Sequence, residues 1–154
     1  MQEDRFWYAL YTKPKHEFKA AVDLREQQIE YYLPTIIALH QWSDRKKKIK
    51  EPLFRGYIFI YASEKERIIA LQSKTILKTL GFNGVPSKIP EFEIENVRKL
   101  LTHAPEVFVT DLYKIGQRVK IIEGPFAGVE GIIYMNDQKQ QVLSVSIDLL
   151  MRSV

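Results

Sequence analysis

The chain has 154 residues, 45% hydrophobic and 27% charged, with a net charge of +4, enough for one domain or for a domain of about 100 residues plus a small module. It contains no cysteine, which excludes a disulfide scaffold, a thiol nucleophile and a cysteine-based zinc site. The longest apolar run, Tyr57 to Ala62, falls far short of the ~20 residues of a spanning helix, and the polar start Met1-Gln2-Glu3-Asp4-Arg5 has no secretory core, so a mildly basic cytoplasmic protein away from membranes is expected.

Phe6 to Thr12 is aromatic-rich and predicts a first strand. Pro14 suits the first turn of a helix running to about Gln28, with Phe18, Ala21, Val22, Arg25 and Ile29 along one face. Thr35 to Trp42 predicts a second strand, with Pro34 at an edge or bend. The run Arg45-Lys46-Lys47-Lys48-Ile49-Lys50 is expected to form the turn leading to the next strand, Glu51 to Tyr61. That strand is expected to alternate Phe54, Ile58 and Ile60 on one face with Tyr57, Phe59 and Tyr61 on the other, Gly56 marking a bulge. Ser63 and Glu66 match a capping box, so a helix is expected from there to about Ser73, with Ile68, Ile69 and Gln72 inward. Thr75 to Phe82 predicts a further strand ended by Asn83-Gly84, and Pro90 opens a third helix whose stripe is Ile94, Val97 and Leu101. The order β-α-β-β-α-β-α reads as an α+β sandwich, helices packed on a mostly antiparallel sheet.

The texture then changes. Residues 1–102 form the predicted larger domain, with 18 basic and 13 acidic side chains, whereas 103–154 carry 5 and 6. Thr102 to Leu112 reads as a linker, placed at 103–112. In 113–154, Gly116, Gly124, Gly128 and Gly131 punctuate short β-rich pieces, Arg118–Ile122, Val129–Met135 and Val142–Leu150, the pattern of a small SH3-like barrel.

The catalytic inventory is thin. His16, His40 and His103 have no acidic partner at a recurring spacing, and no metalloprotease, nucleophile-elbow or phosphate-loop motif occurs. Glu91, Glu93 and Glu95 read as a solvated helix start rather than a metal site. No enzyme activity, metal or cofactor is expected. What remains are surfaces. Trp7, Tyr8, Tyr11, Tyr57, Phe59 and Tyr61 are either core under the helices or an exposed aromatic hollow for an apolar partner. The cationic run is either a solvated loop or a finger that follows a nucleic-acid backbone.

Trp7-Tyr8-Ala9-Leu10-Tyr11-Thr12-Lys13-Pro14, Leu33-Pro34, Gln41-Trp42-Ser43-Asp44-Arg45-Lys46-Lys47-Lys48 and Glu51-Pro52-Leu53-Phe54-Arg55-Gly56-Tyr57-Ile58-Phe59-Ile60 resemble the N-terminal domain of NusG-type transcription elongation factors. The Trp-Ser-Asp-Arg-Lys-Lys-Lys run is most similar to the UpxY branch, antiterminators of capsular polysaccharide operons. Gly116 with Arg118 to Gly131 resembles the KOW motif of the family's second domain, whose members continue with a final barrel strand beyond the position of Val154. The resemblance implies docking on the clamp helices of RNA polymerase and suppression of pausing or termination. Its docking positions fall on Tyr8, Tyr11, Phe54 and Tyr57, with Trp7 beside them. It implies nucleic-acid contact, to non-template DNA or nascent RNA, at Lys13 and Lys19 on and before the first helix. Arg45, Lys46, Lys47, Lys48 and Lys50 are candidates for added backbone contact. Asp23 and Glu26 depart from the basic residues of other specialised members, and Arg55 replaces a common proline. The second domain would engage a ribosomal protein or termination factor. The alternative is a KOW-containing RNA-binding or ribosome-associated protein.

Overall fold

The computed structural model describes residues 3–41, 43–103, 117–120, 128–135, 141–144, 146–147 and 152–153. The chain forms two compact units, Met1–Ile89 and Pro90–Val154.

The first unit is built on a four-stranded sheet. Its strands are β1 (Phe6–Thr12), β2 (Glu30–Tyr32), β5 (Tyr57–Ala62) and β6 (Ile76–Thr79), in the order β2-β5-β1-β6 with every pairing antiparallel. Two helices, α1 (Glu17–Glu26) and α2 (Glu64–Ala70), cover one face. Directly opposed residues share a face, so the β1–β5 register sorts the rings. Tyr8↔Ile60 and Leu10↔Ile58 point one way, and Trp7↔Tyr61, Ala9↔Phe59 and Tyr11↔Tyr57 point the other. The helix-side core joins Tyr8, Leu10, Ile58 and Ile60 to Ala20, Ala21 and Leu24 of α1 and Ala70 of α2.

The face that α1 turns inward differs from the expected one. Ala21 and Ile29 are buried as expected, but Glu17, Ala20 and Leu24 are buried with them, while Phe18, Val22 and Arg25 are exposed. Small alanines let the helix lie close on the sheet, and Glu17 is compensated by a hydrogen bond from the Gly56 N–H at 3.0 Å. The helix closes in a Schellman pattern. Gln28 N–H donates to Arg25 O and Ile29 N–H to Leu24 O, with Gln28 at φ 59° in the place glycine usually takes.

The expected strand from Glu51 to Tyr61 is two strands. β3 (Thr35–Gln41) and β4 (Lys46–Pro52) pair as a separate antiparallel hairpin, and the turn 53–56 intervenes before β5. The basic run is therefore strand rather than turn, because Lys46–Lys50 find a ladder partner in Ile37–Gln41. Phe54 lies in the turn and packs edge-on to Phe59 at 6.0 Å, so it groups with Phe59 rather than with Ile58 and Ile60. Trp42 lies outside the described residues.

The Ser63 cap of α2 forms as expected. Ser63 Oγ accepts from the Glu66 N–H at 3.2 Å, and Glu66 Oε1 accepts from the Ser63 N–H at 3.0 Å. Ile69 packs against the core as expected, but the fully inward positions are Arg67 and Ala70, and Ile68 is exposed. Arg67 is tolerated there because its guanidinium bonds Glu64 and Thr79 Oγ1 and lies 6.0 Å from the Tyr8 ring centroid. Glu66 is also held by Arg5 Nε at 2.7 Å. Burial works to raise its pKa, but the Ser63 and Arg5 hydrogen bonds outweigh it and hold the carboxyl below the usual glutamate range. A depressed carboxylate pKa adds stability above the unfolded value that is lost as pH falls through the folded one. Urea titrations are expected to show wild type losing stability in that acid window more steeply than Glu66→Gln. Chain beyond β6 makes a small hairpin, β7 (Gly81–Phe82) with β8 (Val85–Pro86), where a single strand to Phe82 was expected.

In the second unit, α3 (Glu91–His103) buries Ile94, Val97 and Leu100 together with Glu93 and Asn96, and its last residues occupy the start of the expected linker. Leu100, rather than Leu101, completes the buried stripe. Strands β9 (Gln117–Lys120), β10 (Glu130–Met135) and β11 (Gln141–Ser144) form an antiparallel sheet in the order β11-β10-β9. Strands β12 (Ser146–Ile147) and β13 (Arg152–Ser153) pair separately. Asn96 Nδ2 donates to Glu130 O at 3.3 Å, and Val129 is fully buried. Gly116, Ile121, Ile122 and Gly124 of the KOW-like motif lie outside the described residues, as do 104–112 of the expected linker.

Candidate functional site

The sheet face opposite α1 and α2 is lined with rings. Trp7 and Tyr61 lie 5.4 Å apart, Tyr11 and Tyr57 also 5.4 Å apart edge to face, and Tyr32 stacks on Phe59 at 6.5 Å. Exposure divides them. Trp7, Phe54 and Phe59 are buried, whereas Tyr11, Tyr57 and Tyr61 are half-buried. The surface therefore consists of tyrosine edges backed by sealed aromatic rings. Lys78 Nζ stands 6.0 Å from the Tyr11 ring and adds a cationic margin.

The five aromatic candidates do not form one surface. Tyr11 and Tyr57 are brought together and remain accessible. Trp7 shares their face, and Phe54 backs it through Phe59, but both are buried. Tyr8 is on the opposite face, in the core beneath the helices, where burial first and Glu64 second push its phenol pKa up.

The local chain explains why the tyrosine pair is held. Gly56 sits at φ +87°, accepts from the Thr12 N–H at 2.8 Å and donates to Glu17 at 3.0 Å. One residue thus ties the end of β1, the first turn of α1 and the turn before Tyr57. Composition pointed to none of this: the signal was a glycine two residues after Phe54 and an acid at a helix start. A Cβ at Gly56 would meet the Tyr11 ring at 3.5 Å, an ordinary contact, so backbone strain dominates the cost of substitution. Gly56→Ala is expected to destabilise by about 1–2 kcal/mol, read as a lower urea midpoint at unchanged slope.

The basic candidates are exposed at separate places. Lys13 follows β1, Lys19 lies on α1, and Arg45, Lys46, Lys47, Lys48 and Lys50 belong to the β3–β4 hairpin. Beside α1 an open depression of about 380 Å³ is lined by Asp23, Glu26, Gln27, Ser73 and Lys74. Asp23 there accepts hydrogen bonds from Ser73 Oγ and, at 2.8 Å, from Thr75 Oγ1. Of the two carboxylates that depart from the basic pattern, Asp23 thus joins α1 to the turn before β6. Among the described residues, no three histidine, cysteine or acidic side chains are grouped to hold a metal, and no helix is long and apolar enough to cross a membrane.

An antiparallel sheet covered by helices on one side and faced with half-open rings on the other defines an α+β domain organised around a surface. The chain belongs to the NusG family: the family model described as transcription termination factor nusG matches residues 5–98. It is 26% identical over 160 residues to the transcription termination/antitermination protein NusG of Rickettsia bellii, covering 96% of this chain and 83% of that protein. It is 25% identical over 161 residues to the NusG of Haemophilus influenzae, covering 96% and 86%. The solved structure of Thermotoga maritima NusG aligns with a TM-score of 0.52 at 20% identity, over 98% of this chain and 92% of that one, a likeness of fold.

Proposed function

We propose that this protein is a non-enzymatic, cytoplasmic elongation and antitermination factor of the UpxY-like branch, acting on capsular polysaccharide-type operons. Residues 1–102 dock on the clamp helices of RNA polymerase and suppress pausing or termination. Segment 103–112 leads to a KOW module over 113–154, which engages a ribosomal protein or termination factor. The docking surface is the Tyr11–Tyr57 pair, with Trp7 and Phe54 as its buried support and Tyr8 as core. Lys13, Lys19 and the cations from Arg45 to Lys50 contact non-template DNA or nascent RNA.

The observation that carries this reading is the accessible edge-to-face tyrosine pair on a rigid aromatic bed. Amphipathic rings that lose little side-chain freedom on binding are efficient anchors for an apolar helical partner. The similarity to transcription termination/antitermination proteins supports the same direction. The test is capture of core RNA polymerase by the intact chain, followed by pause assays on templates with and without a capsular leader. Polymerase capture with reduced pausing is the expected result; a chain that binds ribosomes and RNA but no polymerase would overturn it.

A further inference from the structure

We infer that Lys46, Lys48 and Lys50 form a one-sided phosphate ladder for a single nucleic-acid strand. This rests on the nucleic-acid part of the function proposed above and narrows it to three of the seven cations. Strand parity separates them from their neighbours. Gln41↔Lys46, Leu39↔Lys48 and Ile37↔Lys50 share one face of the hairpin, whereas His40↔Lys47, Ala38↔Ile49 and Ile36↔Glu51 share the other. Lys46, Lys48 and Lys50 are exposed, and among the described residues no ion pair holds them. Lys47 is already engaged within the protein, and Glu51 lies 3.7 Å from Arg55. The ladder face of the paired strands carries no acid; the nearest acids in sequence are Asp44 in the turn and Glu51 on the far face.

Alternate residues of a strand stand about 6.8 Å apart, close to the step between successive phosphates along one extended backbone. The charge distribution selects one strand over a duplex. A two-stranded ribbon in a major groove is flanked by two phosphate backbones, and cations on both of its strands would meet them. Here β4 carries every lysine and β3, Thr35–Gln41, has neither lysine nor arginine. Ile37, 72% exposed opposite Lys50, instead offers an apolar shelf for a sugar or an unstacked base.

The experiment measures anisotropy of the intact chain with a 20-nucleotide single-stranded DNA, the RNA of the same sequence and the corresponding DNA duplex, across a salt series. Each neutralised phosphate of a single strand contributes about 0.7 to the slope of log affinity against log salt. The triple variant Lys46→Gln, Lys48→Gln, Lys50→Gln is expected to lower that slope by about 2 for single strands and to lose less on duplex. Lys47→Gln, on the opposite face of the hairpin, is expected to lower the slope less than any one of the three ladder substitutions. Equal losses on DNA and RNA support a contact to the backbone alone, and a larger loss on one supports the ladder while naming its strand. An unchanged slope in the triple variant, an equal loss from Lys47→Gln, or a greater loss on duplex overturns the ladder. Absence of any oligonucleotide binding by the unsubstituted chain overturns the wider nucleic-acid reading with it. Neither result bears on polymerase capture through Tyr57.

Discussion

Replacing Tyr57 by alanine is expected to weaken capture of RNA polymerase by about 30-fold, the factor that corresponds to a binding hot spot of about 2 kcal/mol. The fold should survive the change. Tyr57 is half-buried at the first position of β5, and its principal aromatic partner, Tyr11, is itself half-open. The substitution removes one edge-to-face contact, worth about 0.5–1.5 kcal/mol beyond area burial, and leaves the sealed rings beneath in place. Tyr57→Phe should retain most of the affinity if the ring supplies the contact. Equilibrium binding and thermal melts on the same preparations separate the two effects. A folded Tyr57→Ala chain that binds polymerase like wild type removes the docking surface proposed for this domain.

Much of the first unit was legible because its signals are local. The aromatic run Phe6–Thr12 is β1, and the Ser63–Glu66 spacing gives the capping box. In the second unit, helix α3 likewise begins where Pro90 and the acids Glu91 and Glu93 placed it. The errors arose where a residue's size or charge was weighed without its partner. Phe18 and Val22 are larger than Ala20 and Ala21, yet the sheet accepts the small side of α1 and leaves the large one outside. The lysines looked like a solvated turn because strand propensity is low for lysine, but a hairpin partner overrides that weak preference. The separation of Tyr8 from Tyr11 was available in principle. Period-two alternation along β1 puts Trp7, Ala9 and Tyr11 on one side and Tyr8 and Leu10 on the other. The Glu17–Gly56 tie was not legible, since it joins residues 39 positions apart through a backbone N–H.

Two residues beyond Tyr57 on the same sheet face, Phe59 should behave in the opposite way. Phe59→Ala is expected to destabilise the chain by about 3–5 kcal/mol, the usual cost of removing a fully buried phenyl ring. The ring is 0% exposed, on a strand flanked by β1 and β2. It faces Ala9 across the ladder, meets Phe54 at 6.0 Å and 90°, and stacks with Tyr32 at 6.5 Å and 28°. Ala9, directly opposite, is too small to fill the vacated space, so a cavity term adds to the lost burial. For a domain of this size each kcal/mol moves the melting temperature by about 4–8 °C, which places the variant at least ~12 °C below wild type. Phe59→Leu keeps most of the volume and should lose much less. Because Phe59 offers no surface, the leucine variant should capture polymerase normally below its melting point, whereas Tyr57→Ala should fail to do so at any temperature. A Phe59→Ala chain melting within a few degrees of wild type would mean that this face has no sealed aromatic layer, and the rigid bed beneath the tyrosine pair would be lost with it.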